Sequence, residues 1–292
     1  MNLYVGCSGW SYKGWIGTFY PSSLENKNWL SYYSKYFKFV EVDSTFYNIP
    51  SRFVVKGWKD KTPDDFKFAL KFPNTITHDK KMHKGADVSK DLSVFFKNIE
   101  PLVDKTLLLL IQLPYYLTEN KYFDSLQNMV NKLDKRFKYA IEFRDSSWFN
   151  YKVYDFLKNN KLTLTWSIRD ELKTPPIVTS NQIYIRFIGD RSINDKDFGK
   201  IVKDRKKEMI EYVDILNKTT DLEGYQNIAI AFNNHFAGFG PQSANTFLKL
   251  MDRPEIKDWT KEIEQNEKNN YFFIDNKLQT SISDFTNFKV NK

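Results

Sequence analysis

A single cysteine, Cys7, in 292 residues rules out any disulfide within the chain and every zinc motif built on paired cysteines. Histidine is almost as scarce. His78, His83 and His235 are the whole supply, which leaves few imidazole ligands for a metal centre. No apolar run approaches the roughly 20 residues that span a bilayer. The longest, Leu107 to Leu113, is strand-sized and contains Gln112. No GxGxxG follows a strand-like segment and no P-loop occurs, which disfavours a dinucleotide or P-loop site. The opening Met1-Asn2-Leu3-Tyr4-Val5-Gly6-Cys7 reads as a strand, without the basic and long apolar regions of a signal peptide. The resulting expectation is a cytoplasmic chain in a reducing compartment, with no membrane partner.

What is present is enough for a sizeable core. Hydrophobic residues make up 41% and aromatics 17%, which excludes a disordered chain. The formal charge of +8, from 44 basic and 36 acidic residues, admits a nucleic-acid partner. Only eight of those basic residues are arginine, however, and the lysines are spread without a long basic block. The basicity is therefore read first as a solvated lysine-rich surface.

Short apolar or alternating runs alternate with longer amphipathic stretches. Strands are predicted at Leu3–Cys7, Phe39–Ser44, Phe66–Phe72, Leu107–Leu113, Tyr139–Arg144, Leu162–Ile168, Ile183–Ile188 and Ile228–Asn233. Helices are predicted at about 26–37, 51–60, 88–103, 119–136, 150–160, 195–219 and 241–252. Eight such units predict a parallel sheet closed into a single (β/α)8 TIM-like barrel over residues 1–253. The segment Asp170 to Gln182 contains Pro175-Pro176 and is too short for a good helix, so one outer helix is expected to be weak or missing. Residues 254–292 have no place in the eight units. They are expected to form a C-terminal appendage packed on the barrel, with Tyr271-Phe272-Phe273-Ile274-Asp275 as a structured part.

Strand alternation gives the sharpest functional inference. If the bulky apolar parity faces the outer helices, the other parity points inside. Near the C-terminal strand ends that row contains Ser8, Glu41, Asp43, Lys71, Gln112, Glu142, Arg144, Ser167, Arg169, Arg186 and Asn233. Burying unpaired charge is costly, and C-terminal strand ends are where barrel enzymes carry their chemistry. A buried structural ion network is the competing reading. Three of the eight arginines fall in the row, and a guanidinium fork suits phosphate or carboxylate. Arg186 is the leading candidate for an anionic group, helped by Lys71 or Arg144.

Asp43 and Glu142 are the candidate proton-transfer groups, with His78 as a partner. Gln112 and Asn233 are candidate substrate contacts, and the loop aromatics Trp10, Tyr47 and Trp148 could stack on a ligand or pack the pocket wall. Gly238-Phe239-Gly240-Pro241 could expose backbone amides to a phosphate. A divalent metal on His78, Asp43 and Glu142 is the alternative; no cofactor is predicted.

These residues sit in a recognisable series of strings. They run Gly6-Cys7-Ser8-Gly9-Trp10-Ser11-Tyr12, Glu41-Val42-Asp43-Ser44-Thr45-Phe46-Tyr47, Lys71-Phe72-Pro73 with Ile76-Thr77-His78, and Gln112-Leu113-Pro114. Glu142-Phe143-Arg144 with Ser147-Trp148, Tyr184-Ile185-Arg186 and Phe232-Asn233-Asn234-His235 complete the order. Over residues 1–250 the chain resembles the YecE-like family, domain of unknown function 72. The resemblance implies a TIM barrel and marks Asp43, Lys71, His78, Gln112, Glu142, Arg144, Arg186 and Asn233 as mouth residues. It implies no particular reaction. Where many relatives carry Arg-x-His-Gly, this chain has Arg186-Phe187-Ile188-Gly189, so a histidine role there is lost.

Three functions remain open from sequence. The first is an enzyme acting on a small anionic metabolite, phosphorylated or carboxylated and sugar-like, by acid–base chemistry. The second is a nucleic-acid-binding or endonuclease-like barrel. The third is a non-catalytic barrel that binds a ligand or partner.

Overall fold

The structure, a computed structural model, describes residues 1–82, 88–220, 226–254 and 258–265. Eight parallel strands close on themselves in sequence order: β1 (Asn2–Ser8), β2 (Phe39–Val42), β3 (Lys67–Lys71), β4 (Thr106–Gln112), β5 (Tyr139–Glu142), β6 (Thr163–Ile168), β7 (Gln182–Phe187) and β8 (Asn227–Phe232). Closure comes from β1 running in register with β8, Val5 beside Ile230 and Cys7 beside Phe232. The strands form where the sequence concentrates Val, Ile, Leu and aromatic residues in short runs, which suit a pleated surface buried on both faces.

The expected parity holds. Phe39, Ala69, Leu108, Leu110, Ala140, Tyr184, Ala229 and Ala231 pack together inside the barrel. Val5, Cys7, Val40, Val42, Phe68, Leu70, Ile141, Leu164, Ile185 and Ile230 face the other way, into the layer beneath the helices. The alanines of β5 and β8 leave room for the large rings of Phe39 and Tyr184, which meet edge to face at 6.4 Å. Large and small side chains thus share one filled interior.

The helices are α1 (Trp29–Tyr36), α2 (Ser44–Tyr47), α3 (Arg52–Asp60), α4 (Val88–Ile99), α5 (Glu119–Val130), α6 (Tyr151–Asn159), α7 (Lys206–Thr220), α8 (Asn234–Ala237) and α9 (Gly240–Leu250). Side chains cap the starts of α3 and α6. Ser51 accepts from Val54 N ahead of α3, and Asn150 accepts from Val153 N ahead of α6. Burial of Leu92, Phe95, Phe96 and Ile99 gives α4 the apolar stripe that seats it on the sheet. Among the described residues, no helix is long and apolar enough to cross a membrane.

Between β6 and β7 there is no helix. Residues 169–181 instead run back along the barrel in extended form. Trp166 Nε1 donates to Ile177 O at 3.1 Å and Leu164 N to Thr179 Oγ1 at 2.8 Å. The two adjacent prolines remove amide donors that a helix there would need.

Two expected helices are shorter than the sequence suggests. The 195–219 segment yields a single tight turn at Asp195–Asp197, and α7 begins only at Lys206. The intervening chain is used to close the barrel mouth: Gly199 N donates to Gly238 O at 3.1 Å and Val202 N to Ala237 O at 2.7 Å. Gly199 adopts φ +100°, and a Cβ on it would lie 2.0 Å from Gly14 O. The 119–136 segment leaves the helix after Val130 and ends in a turn held by Asp134 and Arg136.

Of the C-terminal appendage, residues 254 and 258–265 are described, and 260–265 are helical. Trp259 and Ile263 are buried, and the Trp259 indole donates to Thr18 O at 2.9 Å. The Tyr271–Asp275 stretch and His83 lie outside the described residues.

Candidate functional site

The inward row rises from the apolar interior into a layer of paired charges. Arg186 on β7 donates from Nε to Glu41 Oε2 and from Nη2 to Glu41 Oε1, both at 2.6 Å. Its Nη1 bonds Glu142 Oε2 on β5, and the Tyr184 hydroxyl donates to Glu41 Oε2. Arg144 then donates from Nε to Glu142 Oε1 at 2.9 Å and from Nη2 to Gln112 Oε1 at 2.7 Å. Glu41 and Glu142 are fully buried and Arg186 is 2% exposed. Such charges survive away from water because opposite charges and hydrogen bonds satisfy them together.

Protonation follows from this pairing. Burial alone would raise the Glu142 carboxyl, but Arg186, Arg144 and Lys71 overcome it and hold the group down at about 2. Burial would likewise lower Arg186; Glu142, Glu41 and Asp43 reverse that and keep it charged. Burial, then the Glu41 charge, pushes the Tyr184 hydroxyl well up, so it remains a donor. Glu142 and Arg186 are therefore both charged at neutral pH.

Above it stands a rim that is less completely paired. Asp43 directly follows β2, and its Oδ1 lies 3.6 Å from Arg186 Nη2 and 3.8 Å from Lys71 Nζ, without a hydrogen bond among the described residues. Lys71, at the end of β3, is buried with Nζ 4.1 Å from the centre of the Phe46 ring. Its pKa is lowered, first by burial and then by Arg186 and Arg144, against the pull of Asp43 and Glu142. The edge of Phe46 meets the His78 ring at 4.9 Å. His78 sits in a π-turn at Thr75–Asp79, with Nδ1 2.8 Å from Thr77 Oγ1. Burial, then Lys71 and Arg144, lowers its pKa to about 4, so the imidazole is neutral near pH 7.

The structure therefore brings Asp43, Lys71, His78, Gln112, Glu142, Arg144 and Arg186 into one connected cluster. Arg186 itself has its three nitrogens engaged with Glu41 and Glu142, which makes it an organiser of carboxylates first.

Other sequence candidates sit differently. Trp148 is fully buried, stacks on Phe143 at 4.6 Å and donates to Leu117 O at 2.6 Å, so it packs the wall of a loop. Asn233 Oδ1 caps α8 by accepting from His235 N at 2.9 Å, while His235 Nδ1 lies 3.0 Å from Ile193 O. Trp10 packs edge to face on Trp58 of α3 at 5.8 Å. Tyr47 is 66% exposed beside Phe46. Ile188 is buried and apolar. In the glycine turn, Gly240 N is already taken by Asn234 Oδ1 at 2.9 Å, so that amide is not free for a phosphate. Among the described residues, no group of three or more His, Cys, Asp or Glu side chains is placed to hold a metal ion, the His78–Asp43–Glu142 trio included.

Glu41 and Tyr184 are the functional-layer residues that sequence reasoning left without a role. Both stand on the inward parity; their partnership is set by barrel closure, which joins residues 143 positions apart.

An eight-stranded α/β barrel with a layered ionic cluster at its C-terminal mouth is the class these features define. The chain belongs to the family described as "Protein of unknown function DUF72", which it matches over residues 4–265. That match runs past residue 250, through the helix at 260–265. The UPF0759 protein YunF of Bacillus subtilis is 23% identical over 272 residues, covering 86% of this chain and 95% of that protein. The UPF0759 protein YecE of Escherichia coli is 29% identical over 147 residues, half of either chain, so the aligned part spans only about half of that relative. A crystal structure of a DUF72 family protein from Thermotoga maritima superposes with a TM-score of 0.74 at 26% identity, covering 87% of this chain and 100% of that one. A second, from Enterococcus faecalis, gives 0.69 at 20% identity, covering 87% and 98%, and shows likeness of fold.

Proposed function

We propose that the mouth is the active site of an enzyme acting on a small anionic metabolite, phosphorylated or carboxylated, by acid–base chemistry. The observation that carries this reading is Asp43: a carboxylate oxygen with no hydrogen bond, held between Lys71 and Arg186 above a layer whose charges are all committed. Asp43 is the proton acceptor. Lys71, made a better proton donor by burial, is its counterpart, and neutral His78 supplies a hydrogen bond or relays the proton. Glu142 remains ionised and serves by fixing Arg144 and Arg186, not by moving protons. Arg144 and Gln112 orient the substrate, while Trp10, Tyr47 and Asn233 belong to the surrounding wall. Isomerisation, elimination and hydrolysis all use this proton transfer, and none requires a cofactor.

The test is thermal unfolding of the full chain against small anionic metabolites, short DNA and divalent ions, since a ligand of the native state raises its apparent stability. A shift with one metabolite class, followed by turnover that Asp43→Asn abolishes without loss of fold, supports the proposal. A shift only with DNA or metal overturns it in favour of an endonuclease-like barrel. Tight binding without turnover favours a non-catalytic ligand-binding barrel.

A further inference from the structure

The mouth half of strand β6 leaves a run of inward polar atoms without partners among the described residues. Thr165 and Ser167 occupy its inward positions, and Arg169 follows at the strand end. Thr165 Oγ1, Ser167 Oγ and Arg169 Nη1 are all buried and make no hydrogen bond among the described residues. At the mouth end of the flanking strands the polar side chains are instead paired: Glu142 and Arg144 at the end of β5 and Arg186 on β7 are bonded to one another or to Glu41 and Gln112. Ser167 lies directly beside Arg186 in the ladder, at the level of the ionic layer, with Thr165 one inward step deeper beside Tyr184.

A buried guanidinium N–H and a buried hydroxyl left unsatisfied each cost free energy, and native proteins tolerate them mainly where something else completes the bonding. Arg169 Nη2 bonds Glu171 Oε2 at 3.1 Å, and that carboxylate is 58% exposed. Arg169 also stands close enough to Arg144 for their positive charges to be felt across the gap between β5 and β6. Two neighbouring guanidinium groups carry more donors than their carboxylate and amide partners engage, and Arg169 Nη1 and Ser167 Oγ are the ones left over. An oxyanion fits them in both charge and hydrogen bonding.

We propose that Ser167 and Arg169, with Arg144 beside them, form the subsite that holds the oxyanion of the substrate, a phosphate or a carboxylate. The inference rests on the enzymatic reading above and assigns the anion to β6, not to Arg186. In a closed order of eight strands, β6 lies across the axis from β2. The substrate then spans the mouth, its anionic end on Ser167 and Arg169 and its reacting end beside Asp43 and Lys71. The ionic layer of Glu41, Arg186 and Glu142 forms the floor between.

The experiment is a titration of the full chain with inorganic phosphate, and separately with acetate, followed by thermal unfolding at constant ionic strength in sodium chloride. The wild type is expected to gain stability with at least one anion beyond the chloride control. Arg169→Gln should lose that gain while its stability without anion stays level or rises, because Arg144 loses a like-charged neighbour. Ser167→Ala should weaken the anion by about 5–10-fold, as loss of one hydrogen bond does. Lys71→Met should keep the gain. A response to phosphate alone points to a phosphorylated substrate; a response to acetate points to a carboxylate. No gain in the wild type, or an equal gain in Arg169→Gln, overturns the subsite. The two proposals fail separately. A metabolite that stabilises wild type and Arg169→Gln alike leaves the enzyme standing and removes the subsite. Anion binding through Arg169 with turnover untouched by Asp43→Asn does the reverse.

Discussion

Arg186 and Glu41 face each other inside the barrel as a two-bond pair, Nε to Oε2 and Nη2 to Oε1 at 2.6 Å each, and neither side chain is open to water. Glu142 takes the remaining side of the same guanidinium. Removing one member strands the other as a buried charge. Glu41→Gln is therefore expected to cost about 3–5 kcal/mol in urea unfolding, and Arg186→Met a similar amount. The double variant Glu41→Gln, Arg186→Met should lose clearly less than the sum of the two. A cost below about 1 kcal/mol for Glu41→Gln would show that water reaches the pair.

Acid should attack the same layer through Glu142. Its carboxyl is held at about 2 in the folded chain, against an ordinary value of 4.5. A depressed carboxyl contributes stability above its unfolded pKa, and that contribution disappears as pH falls through the folded value. The window is thus about pH 4.5 down to about 2, and the full effect is about 3 kcal/mol. Unfolding free energy measured across that range should fall in the wild type and fall less steeply in Glu142→Gln. Equal slopes would assign the acid sensitivity to other carboxylates.

His78 offers a direct view of the potential at the mouth. Its imidazole should titrate near 4 by NMR, below its usual value of 6.5. Lys71→Met removes one of the two cations that hold it down, so the titration should move up toward the usual range. Because the folded pKa is the lower one, His78 favours the fold above about pH 6.5 and loses that contribution as pH falls toward 4. An unchanged midpoint in Lys71→Met would leave burial and Arg144 as the causes.

The mouth wall depends on one backbone contact. Gly199→Ala forces a side chain into φ +100° and places Cβ 2.0 Å from Gly14 O. The expected loss is at least about 2 kcal/mol in urea unfolding, with the loops after β1, β7 and β8 more open to limited proteolysis. Gly57→Ala is the control, since a Cβ there meets nothing within 4 Å.

The parts of this molecule legible in sequence are those governed by local pattern. Strand spacing revealed eight units, Pro175-Pro176 marked the missing helix, and parity placed Asp43, Lys71, Gln112, Glu142 and Arg186 on one interior row. What stayed hidden depends on which strands meet. Arg186 read as a free anion ligand because its partner Glu41 lies 145 positions away. Trp148 read as a pocket aromatic because nothing in its neighbourhood reveals that Leu117 and Phe143 enclose it. The overlong helix at 195–219 has a similar origin: an amphipathic pattern cannot show that Gly199 is needed against Gly14.

The extended return from β6 has a consequence for how this protein could change. Elsewhere in the barrel a mouth loop feeds a helix, and altering the loop risks unseating that helix from the sheet. After β6 the chain turns at the mouth, pairs Lys173 with Ile168, and runs down as a strap fixed at Ile177 and Thr179. Residues inserted between Asp170 and Lys173 would reshape the edge beside Arg169 with no helix to reseat. The shape of the mouth at this strand is thereby uncoupled from the integrity of the outer ring of helices.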